Sequence, residues 1–391
     1  MKQKRSLFNP LTKQVSGEEI LLIVGPRQTG KTTLLHQVEE SLKTKGKTCH
    51  FLNLEDPDYL KLLNQSPKNL FRLFPFTNNQ FNYLFIDEVQ YLDNPSNFLK
   101  YFYDEYRKKI KIIASGSSAF YLDKKFKDSL AGRKKIFTLY TLSFPEFLSF
   151  KNEPELAKKN FSKFSLSEKE KINILYSEYI TWGGYPKVVL ASPQDKLEVL
   201  RDLAYSYIKK DIFEANIRQD EVFYKLLKIL SSQIGSLVNS FELSNTLGVS
   251  KTAIDNYLYV MQKSFHLSLI KPFHKNIRKE LTKMPKAYFL DLGLRNFFKN
   301  NFQMFAQRDD KGQLLENAVF RQLVNNYEPH EIKFWRTTER KEIDFVIEDK
   351  NLAFEVKSGP IPRKTSRLKI FKKTYPQIKL SFISLPQVWQ I

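Results

Sequence analysis

Residues 19–35 read EILLIVGPRQTGKTTLL, and the order of their parts decides the fold of the N-terminal third. The apolar run 19–24 predicts a strand. It leads into Gly25-Pro26-Arg27-Gln28-Thr29-Gly30-Lys31-Thr32-Thr33, after which Leu34, Leu35, Val38 and Leu42 recur at helical spacing. A small-residue loop between a strand and a helix N-terminus turns backbone N–H groups toward an anion. The spacing G-x-x-x-x-G-K-[ST] is that of a phosphate cradle for ATP. Lys31 then reaches the β- and γ-phosphates, and Thr32 is a ligand of Mg²⁺.

Outward from this loop, further strands are expected at residues 49–54, 83–86, 110–114 and 135–139, separated by helical or loop sequence. Alternation of strands and helices predicts an α/β fold, a parallel sheet with helices on both faces. Asp87 ends the apolar run YLFI and would hold the same Mg²⁺; Glu88 after it is the expected base for the attacking water. Ser115-Gly116-Ser117 closes the fourth strand beside Asp87, where a hydroxyl can sense the γ-phosphate or orient the water. Arg133, in SLAGRKK, is placed to serve a neighbouring subunit's γ-phosphate as an arginine finger.

The pattern then turns helical from Phe144 to Ile217, interrupted by residues 152–154 and by Gly183-Gly184-Tyr185-Pro186, and a helical lid is expected there. Residues 222–290 carry a helix, FELSNTLGVSKTAIDNYLYVMQKS and the alternating HLSLIKPF, the pattern of a winged helix-turn-helix. Its groove-facing side chains would be Lys251, Thr252, Asp255 and Asn256, and its wing would hold His274, Lys275, Arg278 and Lys279, so DNA is the expected partner.

In the last hundred residues a helix is expected from Glu316 to Val324, then strands at 342–347 and 352–357. Asp344, Glu355 and Lys357 form D-x10-E-x-K. A hairpin turning at Asp349-Lys350, or through Glu348–Asn351, would set Asp344 directly opposite Glu355 on one face. Two facing carboxylates and the Val356 carbonyl suit Mg²⁺ or Mn²⁺, with Lys357 steadying a nucleophile at a phosphodiester. A basic stretch at 362–373 follows, placed to neutralise phosphates or to form the solvated face of a helix.

Lys and Arg number 63 against 42 acids, a net charge of +21 that favours a polyanion such as nucleic acid or an anionic membrane surface. Cys49 is the single cysteine, which excludes an intramolecular disulfide and, with five scattered histidines, a Cys/His zinc cluster. No apolar run approaches the ~20 residues of a membrane span, and the start lacks a signal peptide's apolar middle. A cytoplasmic location without membrane contact is expected.

The segments GPRQTGKTTLL, LFIDEVQ, ASGSS and LAGR resemble those of prokaryotic AAA+ ATPases that carry a C-terminal nuclease-like domain. YITWGGYPKVVL and KAYFLDLGLRN extend the likeness over nearly the whole chain. The resemblance implies a P-loop core at 1–143, a helical lid at 144–217, a winged helix at 218–290 and a PD-(D/E)XK nuclease-like domain at 291–391. It also implies assembly into a ring or other oligomer, and it adds Glu316, in GQLLENAVF, as a further metal- or water-holding acid. The function expected is an ATPase that couples nucleotide state to DNA binding and metal-dependent cleavage; the alternative is a nucleotide-controlled binding switch whose nuclease-like domain is silent.

Overall fold

The computed structural model describes residues 3–76, 81–117, 130–160, 163–274, 280, 283–359 and 366–385. They form two compact units, one of residues 1–140 with 263–265, the other of residues 141–262 and 266–391.

In the first unit the strands are β1 (Ile20–Val24), β2 (Thr48–Asn53), β3 (Asn82–Asp87), β4 (Ile110–Gly116) and β5 (Lys134–Thr138). All pair in parallel, in the order β2-β3-β4-β1-β5. Every residue of β1 is buried because both faces are covered. Leu21 and Ile23 pack with Leu34, Leu35 and Val38 of the helix Lys31–Lys43, while Ile20, Leu22 and Val24 pack with Phe98, Leu99 and Phe102 of the helix Pro95–Tyr106. Full burial of each such side chain contributes about 1.5–3 kcal/mol. The order sets β1 and β3 on either side of β4, so the loops at their C-terminal ends share one rim, where open α/β sheets bind ligands.

The second unit begins helical. Ser143 with Glu146, and Ser165 with Glu168, form capping boxes that start the helices Phe144–Phe150 and Leu166–Trp182. The helices Lys196–Glu214, Asp220–Ser232, Ser240–Leu247 and Lys251–Lys263 follow. Next come β6 (Leu267–Ile270) and β7 (Lys286–Phe289), which pair antiparallel. A four-stranded sheet completes the unit: β8 (Ile332–Arg336), β9 (Glu342–Ile347), β10 (Leu352–Val356) and β11 (Lys379–Ile383), in the order β11-β10-β9-β8. The sequence reading found β9 and β10 but not β8 or β11. β11 joins parallel to β10 only after the helix Ser366–Thr374 has carried the chain back.

Two motifs far apart in sequence lock together in this unit. Asp291 caps the helix Leu292–Lys299 through the Leu294 N–H (3.0 Å) and also accepts from the Gly184 N–H (2.9 Å). Gly183 has φ 76°, and a Cβ there would lie 2.3 Å from the Asp291 carboxylate; a Cβ on Gly293 would lie 2.1 Å from the Trp182 carbonyl. Asn296 donates to the carbonyls of Ile180 and Thr181, both at 2.9 Å. The Gly183–Pro186 turn is thus the close-approach seat of the segment that begins at Asp291.

Nearby, Asp310 receives Arg308 Nε at 2.7 Å and Arg295 Nη1 at 2.6 Å, all three side chains being buried. Burial opposes ionisation of Asp310, but hydrogen bonds from Arg308 and the Arg295 charge overcome it and hold its pKa down at about 2.

Candidate functional site

The loop after β1 wraps as the motif requires. Gly25 has φ 151°, and a Cβ on it would fall 2.2 Å from the Leu139 carbonyl oxygen, so only glycine fits. Gly30, at φ 93°, caps the helix Lys31–Lys43, and Gln28 also takes a positive φ of 55°. Thr29 Oγ1 donates to the Pro26 carbonyl (2.9 Å), while Lys31 Nζ lies in the loop, donating to the carbonyls of Pro26 (2.8 Å) and Gly25 (3.1 Å). Arg27 is buried; Thr32 and Thr33 are exposed. Arg5, which carries no motif signal, staples the loop by donating to the carbonyls of Thr29 (2.5 Å) and Tyr140 (2.8 Å).

On the same rim, Thr32 Oγ1 donates to Asp87 Oδ2 at 2.6 Å, and Ser115 Oγ donates to Asp87 Oδ1. Ser115 Oγ in turn accepts the Glu88 N–H at 3.2 Å. Glu88 is left-handed (φ 55°, ψ 49°), a conformation costing on the order of 1–3 kcal/mol outside glycine. Its carboxylate is held by Gln90 Nε2, which also donates to Ser117 Oγ at 2.9 Å. The sequence reading gave Ser115 and Ser117 one shared role; the structure separates them, Ser115 orienting Asp87 and Ser117 joining Gln90. Gln90 itself was missed, although its place two residues after Glu88 was the available signal. The Thr32 hydroxyl and the Asp87 carboxylate are hard oxygen donors in contact, a set that fits Mg²⁺.

Arg133 lies elsewhere. Its carbonyl accepts the Ile20 N–H at 2.8 Å, which puts it where β1 begins, at the far end of that strand from the phosphate loop. Its guanidinium pairs with Asp104 (2.8 Å). It does not approach its own chain's phosphate loop.

In the second unit the β9–β10 hairpin pairs Leu352 with Ile347, Ala353 with Val346 and Phe354 with Phe345. It turns through Glu348–Lys350 and a left-handed Asn351, in the register expected from the sequence, and the pairing ends one step short of Asp344 and Glu355. A β-bulge, however, interrupts the expected alternation of β9. Against β8, the pairs Lys333–Val346 and Trp335–Ile343 leave Asp344 and Phe345 together facing the single residue Phe334. The backbone of Phe334 is engaged on its other edge by Lys271 and Phe273. The bulge re-aims Asp344, whose Oδ2 accepts the Val356 N–H at 2.7 Å.

Around this hairpin the acids are interleaved with lysines. Lys357 Nζ donates to Glu355 Oε1 (2.5 Å) and to the Val356 carbonyl (3.0 Å), and Glu355 is fully buried. Tyr288 Oη donates to Glu316 Oε1 (2.5 Å). Lys286, 1% exposed, is ion-paired with Glu342 and stands 3.7 Å from Glu316; Arg336 reaches Glu342 at 2.9 Å. Gly235, at φ 74°, leaves room for Glu316, since a Cβ there would meet the carboxylate at 2.7 Å.

Burial first, then the charges of Glu316 and Glu355, push the Asp344 carboxyl well above its ordinary pKa. Burial likewise raises Glu316, eased by Lys286 and Tyr288. Burial works against charged Lys286, yet Glu316 and Glu342 outweigh it and its pKa is raised. Carboxylate and carbonyl oxygens suit Mg²⁺ or Mn²⁺, yet no three Asp, Glu, His or Cys residues among the described ones are gathered as a metal cage. Lys286 and Lys357 supply positive charge within the cluster instead. The sequence reading missed Lys286, Tyr288 and Glu342, which meet Glu316 and the hairpin only through tertiary packing.

Of the expected DNA contacts, Lys251, Thr252 and Asn256 are exposed on the helix Lys251–Lys263, with Lys251 paired to Asp255 at 2.8 Å. Lys275, Arg278 and Lys279 lie outside the described residues. Among the described residues no helix is long and apolar enough to cross a membrane.

Comparison with known proteins gives three matched segments. Residues 17–148 match the family model of an AAA domain, residues 173–304 a domain of unknown function (DUF8612) and residues 311–387 another (DUF4143). The chain is 27% identical over 381 residues to an uncharacterised protein of Methanocaldococcus jannaschii, covering 94% of this chain and 81% of that one. It is 26% identical over 379 residues to an uncharacterised protein of Haemophilus influenzae, covering 93% and 88%. Among solved structures it is similar to the Aeropyrum pernix ORC1 protein in complex with DNA, at 10% identity and TM-score 0.33, covering 75% of this chain and 91% of that one. It is also similar to AMPPCP-bound DnaA from Aquifex aeolicus, at 15% identity and TM-score 0.32, covering 66% and 86%. The phosphate loop, the parallel sheet and the matched family model together make the N-terminal part of this chain a P-loop domain of the AAA type.

Proposed function

We propose that this chain is an ATP-hydrolysing AAA+ protein that acts on DNA, nucleotide state governing DNA binding and a C-terminal PD-(D/E)XK-like domain cutting phosphodiesters. The observation that carries the ATPase reading is the linked set Thr32, Asp87, Ser115 and Glu88 on one rim of the sheet. In it Lys31 leaves the loop carbonyls for the β- and γ-phosphates, and Ser115 fixes Asp87. The strained Glu88, steadied by Gln90, takes the proton of the attacking water. Bound Mg²⁺ would neutralise phosphate charge here and, at Asp344 and Glu355, would lower the pKa of water. Arg133 serves a second copy of the chain in an oligomer, since its place at the start of β5 keeps it from its own loop.

DNA binding is supported by the net charge of +21 and by the helix Lys251–Lys263, preceded by the helix Ser240–Leu247 and followed by the β6–β7 ribbon as in a winged helix. Glu316, Asp344, Glu355 and Lys357 would form the cleavage set. A second reading is favoured by Lys286: a cluster with its own internal cation binds DNA without cutting it, and the chain is then a nucleotide-controlled switch.

The test measures ATP hydrolysis and cleavage of labelled linear and circular DNA with Mg²⁺ or Mn²⁺, in wild type, Lys31→Ala and Asp344→Ala. Cutting lost in Asp344→Ala with hydrolysis retained establishes the nuclease. DNA-stimulated hydrolysis with no cutting by any protein establishes the switch, and absence of hydrolysis in wild type refutes both.

A further inference from the structure

Within the second unit, a cavity of about 440 Å³ opens between the helices Lys196–Glu214, Asp220–Ser232 and Leu292–Lys299. Its wall is aromatic and its mouth basic. Tyr205 is 52% exposed, with its ring centroid 5.7 Å from Tyr224 and 5.6 Å, edge-on, from Phe297. Tyr224 is anchored from behind, its hydroxyl donating to the Tyr205 carbonyl at 3.4 Å. Arg201 and Lys228 line the same cavity, both exposed, and no acidic side chain among the described residues pairs with either. Lys225 differs, being held by Glu221 one turn away at 2.7 Å.

An exposed ring flanked by uncompensated cations matches one ligand chemistry, a flat base carrying a phosphate. We propose that this cavity binds single-stranded nucleic acid, one base stacking on Tyr205 while Arg201 and Lys228 take the flanking phosphates. A strand is favoured over a free nucleotide because the cations are not gathered into an anion pocket but stand exposed on two separate helices, as along a backbone. Duplex DNA keeps its bases stacked inward and offers Tyr205 no face. The inference rests on the nucleic-acid reading above and narrows it to single strands at this site.

The experiment titrates the full chain into fluorescein-labelled oligothymidylate of about 20 nucleotides and into a blunt duplex, following anisotropy. Tyr205→Ala is expected to weaken strand binding by about 5- to 100-fold and to leave duplex binding unchanged. Tyr205→Phe, which keeps the ring, should retain binding. Arg201→Ala with Lys228→Ala should weaken strand binding and flatten its salt dependence. Strand binding that is unchanged in Tyr205→Ala overturns the site while leaving DNA as partner. Displacement of the strand by AMP at equal base concentration overturns the strand in favour of a free nucleotide. A wild-type protein that hydrolyses ATP but binds neither DNA overturns the site together with the reading beneath it.

Discussion

Asp87 and Asp344 each anchor a cluster of oxygen donors, but their surroundings differ in kind. Asp87 is held by two hydroxyls, from Thr32 and Ser115. Asp344 is held by a backbone N–H and stands among the charges of Glu316 and Glu355, with Lys286 and Lys357 interleaved. Hydroxyls orient a carboxylate without neutralising it, so the first cluster keeps its negative charge for an arriving cation. In the second the chain neutralises much of its own charge. Similar donor atoms therefore describe a site open to a cation in one unit and a largely self-balanced one in the other.

The largest test of this contrast is Lys286→Met. Removing the buried ammonium strands Glu316 and Glu342, and the second unit is expected to lose about 3–5 kcal/mol at neutral pH, read by thermal denaturation. Because the Glu316 and Asp344 pKa values are raised in the fold, protonation favours the folded state and that benefit fades as pH rises through them. The deficit should therefore shrink on acidification and on adding Mg²⁺; a deficit indifferent to both would refute the internal-cation account.

In the first unit, Lys31→Ala should cut phosphate release by about 100- to 1,000-fold, because the amine that the Gly25 and Pro26 carbonyls hold in the loop is then missing from the phosphates. Glu88→Gln should lower turnover similarly while ATP binding is retained, measured by fluorescent-nucleotide titration. An intermediate effect, about 1–3 kcal/mol of stability, is expected for Gly293→Ala, whose Cβ meets the Trp182 carbonyl. The smallest is Lys251→Ala, which should weaken duplex binding evenly across sequences and reduce the slope of log affinity against log salt by about 1. An unchanged slope would remove that helix from the DNA surface.

The phosphate loop was legible because strand, loop and helix are contiguous in sequence. The β9–β10 hairpin was legible for the same local reason. What escaped was whatever depends on meeting another element. The bulge at Asp344–Phe345 lies opposite Phe334, whose backbone also bonds to Lys271 and Phe273, a meeting of segments distant in sequence. Lys286 becomes part of the acid cluster only when β7 packs beside the helix Lys311–Leu323. Arg5 was one basic residue among 63, and the Gly183–Pro186 turn had no visible purpose until Asp291 was seen against it.

That turn also bears on how the polypeptide can be divided. Gly184 and Asp291 are 107 positions apart, and each supplies what the other's backbone or carboxylate needs. A recombinant fragment ending near Ile217, at the boundary drawn from the sequence, would leave the Gly184 N–H without Asp291 and expose the seat of Gly293. Fragments intended to isolate the helical segment should therefore extend past Asn296, and complementary halves cut between these points should reassociate when co-expressed.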